Sequence, residues 1–227
     1  DHDTLVNDAY PGMDASYMGD LTWEQGLEIY RYQVPMHEKT YRTVQWGKDL
    51  QVWFLEGRDY RSPNGMPDGP EKSMLGETQK RWLKETIEAS ESTFRVVITP
   101  NPIVGPDRKN KNDNLANEGF QTEGDELRAF LGQFDNLIVI TGDRHWQYAS
   151  IDPTTGLREY SVGGSGKVGG WRQDDFRHGI HTYLKVARGF VSVDLESDAS
   201  EITLTIAHRA VDGTVRNQNV FTHKAGR

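Results

Sequence analysis

The fold of this chain is best predicted from residues 138–146, which read IVITGDRHW. The branched apolar residues at the start of this stretch predict a buried strand that ends at Gly142. Asp143 and His145 follow two positions apart, so on a backbone that is still extended their side chains leave on the same side. A carboxylate and an imidazole that project together are suitable donors for a metal ion, and Arg144 between them is a candidate contact for an anion.

A second interpretation of this loop stays open. In it, Asp143 caps a turn and His145 forms a hydrogen bond with a backbone carbonyl. The metal interpretation has the support that binding residues concentrate on loops that follow strands. The residues alone do not decide between the two.

Composition limits the classes of function. The 227 residues are enough for one domain with a sizeable core. A net charge of −8, from 26 basic and 34 acidic residues, argues against a nucleic-acid-binding surface. It is compatible with a phosphate ester as substrate, because bound cations can reverse the charge of a pocket. The absence of cysteine excludes disulfides and thiolate chemistry, and no apolar run reaches the ~18–20 residues of a membrane span.

The middle of the chain alternates strands with helices. Apolar runs predict strands over residues 42–46, 50–55, 94–99 and 136–141, and helical periodicity predicts helices over residues 22–32, 79–89 and 125–134. After residue 146 the pattern predicts only strands, over residues 147–151, 157–162, 183–186, 190–195, 202–207 and 214–221. We therefore expect a layered α/β arrangement that an antiparallel C-terminal part completes.

Three polar clusters follow strands of the predicted sheet, at residues 56–61, 99–108 and 142–145. Ligands in layered α/β folds bind beyond the carboxyl ends of the strands, so these clusters are candidates for one site. The glycine-rich residues 163–170 do not form a phosphate-binding loop, because Ser161 and Val168 stand where that motif needs Gly and Ser or Thr. We interpret them as a mobile loop over the pocket, with Trp171 as its anchor.

Four motifs in a fixed order resemble the PhoD-like (alkaline phosphatase D) metallophosphatases. They are DHD…N at residues 1–7, YR…WG…FLEGRDYR at residues 41–61, LG…Q…WL at residues 75–83, and GDRH at residues 142–145. The resemblance implies an α/β (α+β) fold, in which a calcineurin-like two-sheet β-sandwich is flanked by helices and ends in antiparallel strands. It also implies a hydrolase of phosphate monoesters or diesters.

The resemblance also assigns roles to individual residues. Asp1, Asp143 and His145 stand where the family has metal ligands. His2 stands where the family keeps its catalytic histidine, which contacts the phosphate and protonates the leaving group. The implied cofactors are two metal ions, iron with calcium, while related metallophosphatases use zinc or manganese.

Candidate contacts for a small phosphate-ester substrate are Arg144, Asp107, Arg108 and Asn7. We expect residues 1–227 to form a single domain, which is the C-terminal larger part of a metallophosphatase domain. The family's earlier ligand-bearing blocks would then come from a segment upstream of Asp1 or from a companion chain. The resemblance implies export to the periplasm or the outside of the cell. The alternative function is a non-catalytic secreted binding module, or an inactive phosphatase-like fragment.

Overall fold

A computed structural model of the chain describes residues 8–13, 21–34, 39–108, 110–166, 168–171 and 173–225. The described strands are β1 Arg42–Trp46, β2 Leu50–Phe54, β3 Phe94–Thr99, β4 Leu137–Thr141, β5 Gln147–Ile151, β6 Arg158–Val162, β7 His181–Lys185, β8 Phe190–Ser197, β9 Glu201–Arg209 and β10 Val215–Lys224. The α-helices are α1 Trp23–Gln33, α2 Gly76–Glu88 and α3 Gln121–Leu131, with short 3-10 helices at Glu118–Phe120 and Gln173–Asp175.

The strands form two sheets. The larger has seven strands in the order β1-β2-β3-β4-β6-β5-β7, and the smaller has three in the order β10-β9-β8. Strands β2, β3, β4 and β6 run parallel to one another, β1 pairs antiparallel with β2, and β5 pairs antiparallel with both β6 and β7. The sequence-based expectation of a wholly antiparallel C-terminal part is therefore wrong for β6, which lies beside β4 and parallel to it.

Strand β4 lies between two hydrophobic cores, which explains its unbroken apolar sequence. Leu137 and Val139 point to the core formed with helices α2 and α3. Ile138 and Ile140 point to the core formed with the smaller sheet. Because successive side chains of a strand face opposite ways, only a sheet that is covered on both sides buries every residue of a strand. The predicted two-sheet sandwich flanked by helices is confirmed.

Helix α1 begins as its sequence predicts. The Thr22 side chain accepts a hydrogen bond from the Gln25 N–H, and the Gln25 side chain accepts one from the Thr22 N–H. This capping box satisfies two N–H groups that the first turn would otherwise leave unpaired. Trp23 is buried, whereas Tyr30 is at the surface. Across the described ranges, no helix has both the length and the apolar character to cross a membrane.

Candidate functional site

The loops that follow β2, β3 and β4 meet at one edge of the larger sheet, as the sequence predicts. These strands are parallel neighbours, so their carboxyl ends lie side by side. A Cβ atom added to Gly57 would lie 2.8 Å from Pro100 Cγ and 2.9 Å from Asn101 Oδ1. The Gly142 N–H donates to the Thr99 carbonyl at 3.1 Å. The three loops therefore touch, and glycine is needed at position 57 for the approach.

Asp143 lies where the chain turns. Its φ is 60°, in the left-handed region that residues other than glycine rarely adopt. The Arg144 N–H bonds the Gly142 carbonyl at 2.6 Å, which closes a tight turn around Asp143. The extended backbone assumed for the Asp143–His145 pair is therefore wrong. Backbone strain of this kind persists where the surroundings hold it, and it concentrates at functional sites.

Arg144 is buried and holds three carboxylates. Its Nη2 lies 2.7 Å from Asp143 Oδ2 and 3.4 Å from Asp113 Oδ1, and its Nη1 lies 2.9 Å from Asp107 Oδ2. Burial alone would lower the pKa of the guanidinium, but Asp143, Asp107 and Asp113 outweigh burial and raise its pKa above the ordinary value. The anions that Arg144 contacts here are therefore internal, and they fix the shape of the loop after β4.

Asp107 and Asp113 come from the long polar loop after β3. The Asn114 side-chain N–H group bridges them, at 3.0 Å from Asp107 Oδ2 and 2.9 Å from Asp113 Oδ1. Lys111 Nζ lies 2.5 Å from Asp113 Oδ2. Burial alone would raise the pKa of Asp113, but Lys111 and Arg144 outweigh burial and lower this pKa below its usual value. Sequence reasoning included Asp107 but missed Asp113 and Asn114. Nothing in their spacing distinguishes them from the other polar residues of that loop.

Glu159, the second residue of β6, supports the same loop. Its buried carboxylate accepts hydrogen bonds from the N–H groups of Ile103, Val104 and Gly105, at 2.7, 2.9 and 2.8 Å, and from the Tyr148 hydroxyl at 2.7 Å. Burial raises the pKa of Glu159, while these donors oppose that rise. The carboxylate thus fixes the start of the loop that carries Asp107.

The other predicted site residues of this region lie at the surface. His145 and Arg108 are exposed. Next to His145, Trp146 is buried and stacks on Trp171, with 5.7 Å between the ring centroids. This contact confirms Trp171 as the anchor of the glycine-rich loop.

The remaining predicted residues, Asp1, His2 and Asn7, lie outside the described residues. Within the described part of the chain, no group of three or more His, Asp or Glu side chains is arranged to hold a metal ion. The clustered carboxylates at this edge are instead paired with Arg144. The described side chains alone therefore do not fit a complete metal centre.

The loop after β2 carries the charged side chains of the predicted cluster at residues 56–61, to which sequence reasoning gave no individual roles. The Glu56 carboxylate accepts hydrogen bonds from the N–H groups of Arg58 and Asp59, at 2.7 and 2.6 Å. Burial, together with the nearby Asp59 carboxylate, raises the pKa of Glu56 to about 7. Arg61 is 3 % exposed, and burial and the Arg58 charge lower its pKa to about 10. The motif GRDYR signalled charges near a cleft, but not that Arg61 would be buried.

Solved structures with the same fold include two phosphatases. The chain superposes on a structure of PhoD with a TM-score of 0.73 and 16% identity, covering 99% of this chain and 52% of that one. Purple acid phosphatase PPD1 from yellow lupin (Lupinus luteus) seeds gives a TM-score of 0.66 at 14% identity. The superposition covers 98% of this chain and 39% of the lupin chain. GAP50, described as the anchor in the inner membrane complex of Plasmodium, gives a TM-score of 0.52 at 13% identity. The superposition covers 83% of this chain and 55% of the GAP50 chain.

The chain thus spans about half the length of the PhoD structure. No curated protein matches its sequence. The family profile of the PhoD-like phosphatases, however, matches residues 28–165, which is more than half of the chain and includes the loops after β2, β3 and β4. The chain therefore belongs to the PhoD-like phosphatase family.

Proposed function

We propose that this chain is the C-terminal larger part of a metal-dependent phosphoric ester hydrolase. The proposal is carried by the conformation of the loop after β4, in a chain that belongs to this family. Asp143 is held there in a left-handed conformation by a buried arginine, at the carboxyl edge of the sheet. Keeping a strained residue and a buried ion network in place costs stability, which is a common feature of functional sites.

The proposed metal ligands are Asp143 and His145, together with Asp1. Because the described side chains do not complete a metal centre, the proposal assigns the remaining ligands to residues outside the described part or to a further segment. Iron with calcium is the proposed pair of ions, and zinc and manganese are the alternatives that the same donor types accept. When bound, such ions polarise a phosphoryl group and lower the pKa of water from ~15.7 towards ~7.

The other proposed roles belong to this chain's own side chains. His2 would donate a proton to the departing oxygen of the ester, a contribution worth roughly 10²–10⁴ in rate. Asn7, Arg108 and Asp107 would orient the phosphate ester. Arg144 would keep Asp143 in position and contact the substrate through Nε, which is buried and has no hydrogen-bond partner in the described structure.

The test uses Asp143→Asn and His145→Ala in the complete chain, each assayed for bound metal by elemental analysis and for hydrolysis of p-nitrophenyl phosphate and bis-p-nitrophenyl phosphate. We expect both variants to lose metal and turnover. Asp152→Asn is the matched control, because Asp152 accepts hydrogen bonds from Thr155 in a turn after β5, away from the site. Full metal content and unchanged turnover in both site variants would contradict the proposal.

A separate variant tests the proton donor. His2→Ala should keep its metal and lose turnover, because the imidazole is proposed to act on the leaving group and not as a ligand. Unchanged turnover would remove His2 from this role.

The alternative is a binding module without catalysis. It is favoured by exposed aromatic side chains, such as Tyr32 at 92% and Trp46 at 68% exposure. In that case the unaltered protein would bind no metal and hydrolyse neither ester.

A further inference from the structure

We propose that Asn64 is a site of self-deamidation, at which Arg61 and Lys72 promote the conversion of the side-chain amide to a carboxylate. The proposal goes beyond the function proposed above, since it concerns a covalent change in the chain itself and requires neither a metal ion nor an ester. Asn64 and Gly65 form the single Asn-Gly pair of the 227-residue sequence. The pair lies on the loop between β2 and α2.

Asn64 and Gly65 are the central residues of a tight turn. The Met66 N–H donates to the Pro63 carbonyl at 3.1 Å, which closes the turn. Asn64 is half-buried and Gly65 is exposed, and apart from its chain neighbours a Cβ atom at Gly65 would meet no atom within 4 Å. The Gly65 peptide therefore lies at the surface, where solvent can remove its proton. Glycine also lets the backbone rotate until this nitrogen reaches Asn64 Cγ.

Arg61 acts on the carbonyl group that is attacked. Its side chain is fully buried, and its Nη2 donates to the Asn64 side-chain oxygen. Attack on Cγ moves negative charge onto this oxygen. A fixed cationic donor binds an oxyanion more tightly than it binds the oxygen of an amide. Arg61 therefore stabilises the tetrahedral intermediate more than it stabilises the starting amide.

Lys72 acts on the peptide group that attacks. The residue is 2 % exposed, and its ammonium group donates to the Asn64 backbone carbonyl at 2.9 Å and to the Met66 carbonyl at 2.7 Å. The Asn64 carbonyl belongs to the same peptide group as the Gly65 nitrogen. Because this group is conjugated, a cation on its oxygen makes its N–H proton easier to remove. Two buried cations thus assist the two partners of one reaction.

The atoms of the reaction balance without a cofactor. Solvent hydroxide removes the Gly65 N–H proton, the nitrogen forms a bond to Asn64 Cγ, and Nδ2 takes a proton from water and leaves as ammonia. Water then opens the cyclic imide. Opening at Cγ gives aspartate, and opening at the backbone carbonyl gives isoaspartate, in which the chain continues through the side chain. In both cases an amide and water become a carboxylate and ammonium.

The product carboxylate pairs with the cations that promote its formation. The Nε and Nη1 atoms of Arg61 are buried and have no hydrogen-bond partner in the described part of the chain. Burial lowers the pKa of Arg61 to about 10, although three carboxylates oppose the shift, namely Asp8, Asp113 and Glu56. Asp8 lies 4.0 Å from Nη1, which is beyond hydrogen-bond distance. The aspartate product adds a negative charge to the oxygen that Arg61 already holds, and the isoaspartate product adds it to the oxygen that Lys72 holds.

The test is incubation of the folded chain at neutral pH, followed by peptide mass spectrometry of the exchange of the amide NH₂ for OH at Asn64. We expect the folded chain to deamidate here roughly 10- to 100-fold faster than the same chain unfolded in guanidinium chloride, which is the effect of charge-assisted hydrogen bonds to the developing oxyanion. This comparison needs no variant. An equal or slower rate in the folded chain would overturn the proposal.

Three variants assign the effect to individual residues. Arg61→Met and Lys72→Met each remove one cation, and we expect each to slow deamidation towards the rate of the unfolded chain. Gly65→Ala should slow it as well, because the added methyl group fits the open space at this position but hinders the attack of the peptide nitrogen. Unchanged rates in the first two variants would remove the cations from the reaction, and an unchanged rate in Gly65→Ala would exclude the cyclic imide.

Asn136 provides the matched control. Its side-chain oxygen also accepts a hydrogen bond from an arginine, at 2.9 Å from Arg95 Nη1. The next peptide nitrogen belongs to Leu137, however, and it donates to the Phe134 carbonyl at 3.0 Å. We therefore expect no deamidation at Asn136, and no effect of Arg95→Met on the rate at Asn64. A slower rate at Asn64 in Arg95→Met would show that general stability, and not the local cations, sets the rate.

The pairing of the product is tested with Asn64→Asp. We expect its thermal unfolding midpoint at neutral pH to be higher than that of the unaltered chain, because the new carboxylate bonds to Arg61. The same substitution made in the Arg61→Met chain should bring no such gain. A midpoint that falls in Asn64→Asp, or a gain that persists without Arg61, would contradict the pairing.

Discussion

The two ends of the parallel strands in the larger sheet accommodate charge in different ways. At the carboxyl end, the buried Arg144 contacts three carboxylates and the buried Arg61 lies nearby. At the amino end, Arg95 donates from Nη1 to Asn136 Oδ1 at 2.9 Å and from Nη2 to the Ser90 carbonyl, both of which are neutral.

The difference supports the carboxyl end as the proposed site. At the amino end, the buried Asp49 carboxylate likewise accepts hydrogen bonds from neutral groups, the hydroxyls of Thr93 and Ser197. Buried ion networks often contribute less stability than an apolar core of the same volume would. Within the described residues, the three-carboxylate network around Arg144 lies at the carboxyl end, which is the end that carries the proposed site. The predictions below compare the two ends, from the largest expected effect to the smallest.

The largest effect is expected for Arg144→Met. It leaves Asp107, Asp113 and Asp143 together without their shared cation, and breaking a buried pair costs about 3–5 kcal/mol. Urea denaturation monitored by tryptophan fluorescence measures the change in the free energy of unfolding. A loss below about 1 kcal/mol would show that the carboxyl end is no more dependent on its ions than an exposed surface is.

The next effect is a dependence on pH that arises from Glu56. Its pKa is raised from 4.5 to about 7 in the folded chain, so the folded state binds the proton more tightly than the unfolded state. The stability from this group is complete below pH 4.5 and is lost as the pH rises through about 7, by about 3 kcal/mol.

The variant Glu56→Gln lacks this titration. Its free energy of unfolding should therefore rise relative to that of the unaltered chain between pH 4.5 and pH 8, whatever the cost of the lost N–H acceptor. Urea denaturation at both pH values measures the difference. A difference that does not vary with pH would show that the folded pKa of Glu56 is ordinary.

A smaller effect is expected for Glu159→Gln. The amide keeps one acceptor oxygen but turns an N–H₂ group towards two of the four donors that Glu159 satisfies. Leaving buried donors unpaired should cost about 2 kcal/mol of unfolding free energy. Hydrogen exchange should also be faster at Ile103 and Val104, while the amides of β9 serve as the internal control. Unchanged exchange at Ile103 and Val104 would contradict the positioning role.

The smallest effect is expected at the amino end, for Arg95→Met. The change removes hydrogen bonds to neutral acceptors and should cost about 1 kcal/mol of unfolding free energy, without any effect on hydrolysis. Thermal and urea denaturation measure the first quantity, and the ester assays measure the second. A cost equal to that of Arg144→Met would remove the contrast between the two ends.

Much of the fold was predictable from local patterns. The strands β3 and β4 were predicted to within one residue, because branched apolar runs bounded by turn residues have few alternatives. The start of helix α1 was predicted at residue 22, where the structure has a capping box. The placement of β6 between β4 and β5 was not predictable, because the apolar pattern of a strand does not specify its neighbour or its direction.

The candidate site was predicted in location but not in arrangement. The loop after β4 was identified, and the meeting of three loops followed from the order of strands and helices. The left-handed turn at Asp143 contradicted the expected extended backbone. The cluster at residues 56–61 was predicted, but the burial of Arg61 was missed, since a charged motif after a strand is equally typical of a solvated loop.

The sequence by itself determined the order of the strands and helices, most of their positions, and the family. These depend on the periodicity and order of residues, which are local properties of the chain. Only the tertiary structure decided that Arg144 contacts Asp113, 31 residues away, and that Arg61 is buried beside Arg58. Ion pairs and burial of this kind depend on how loops from separate strands meet, and that geometry exists only after the sheet has formed.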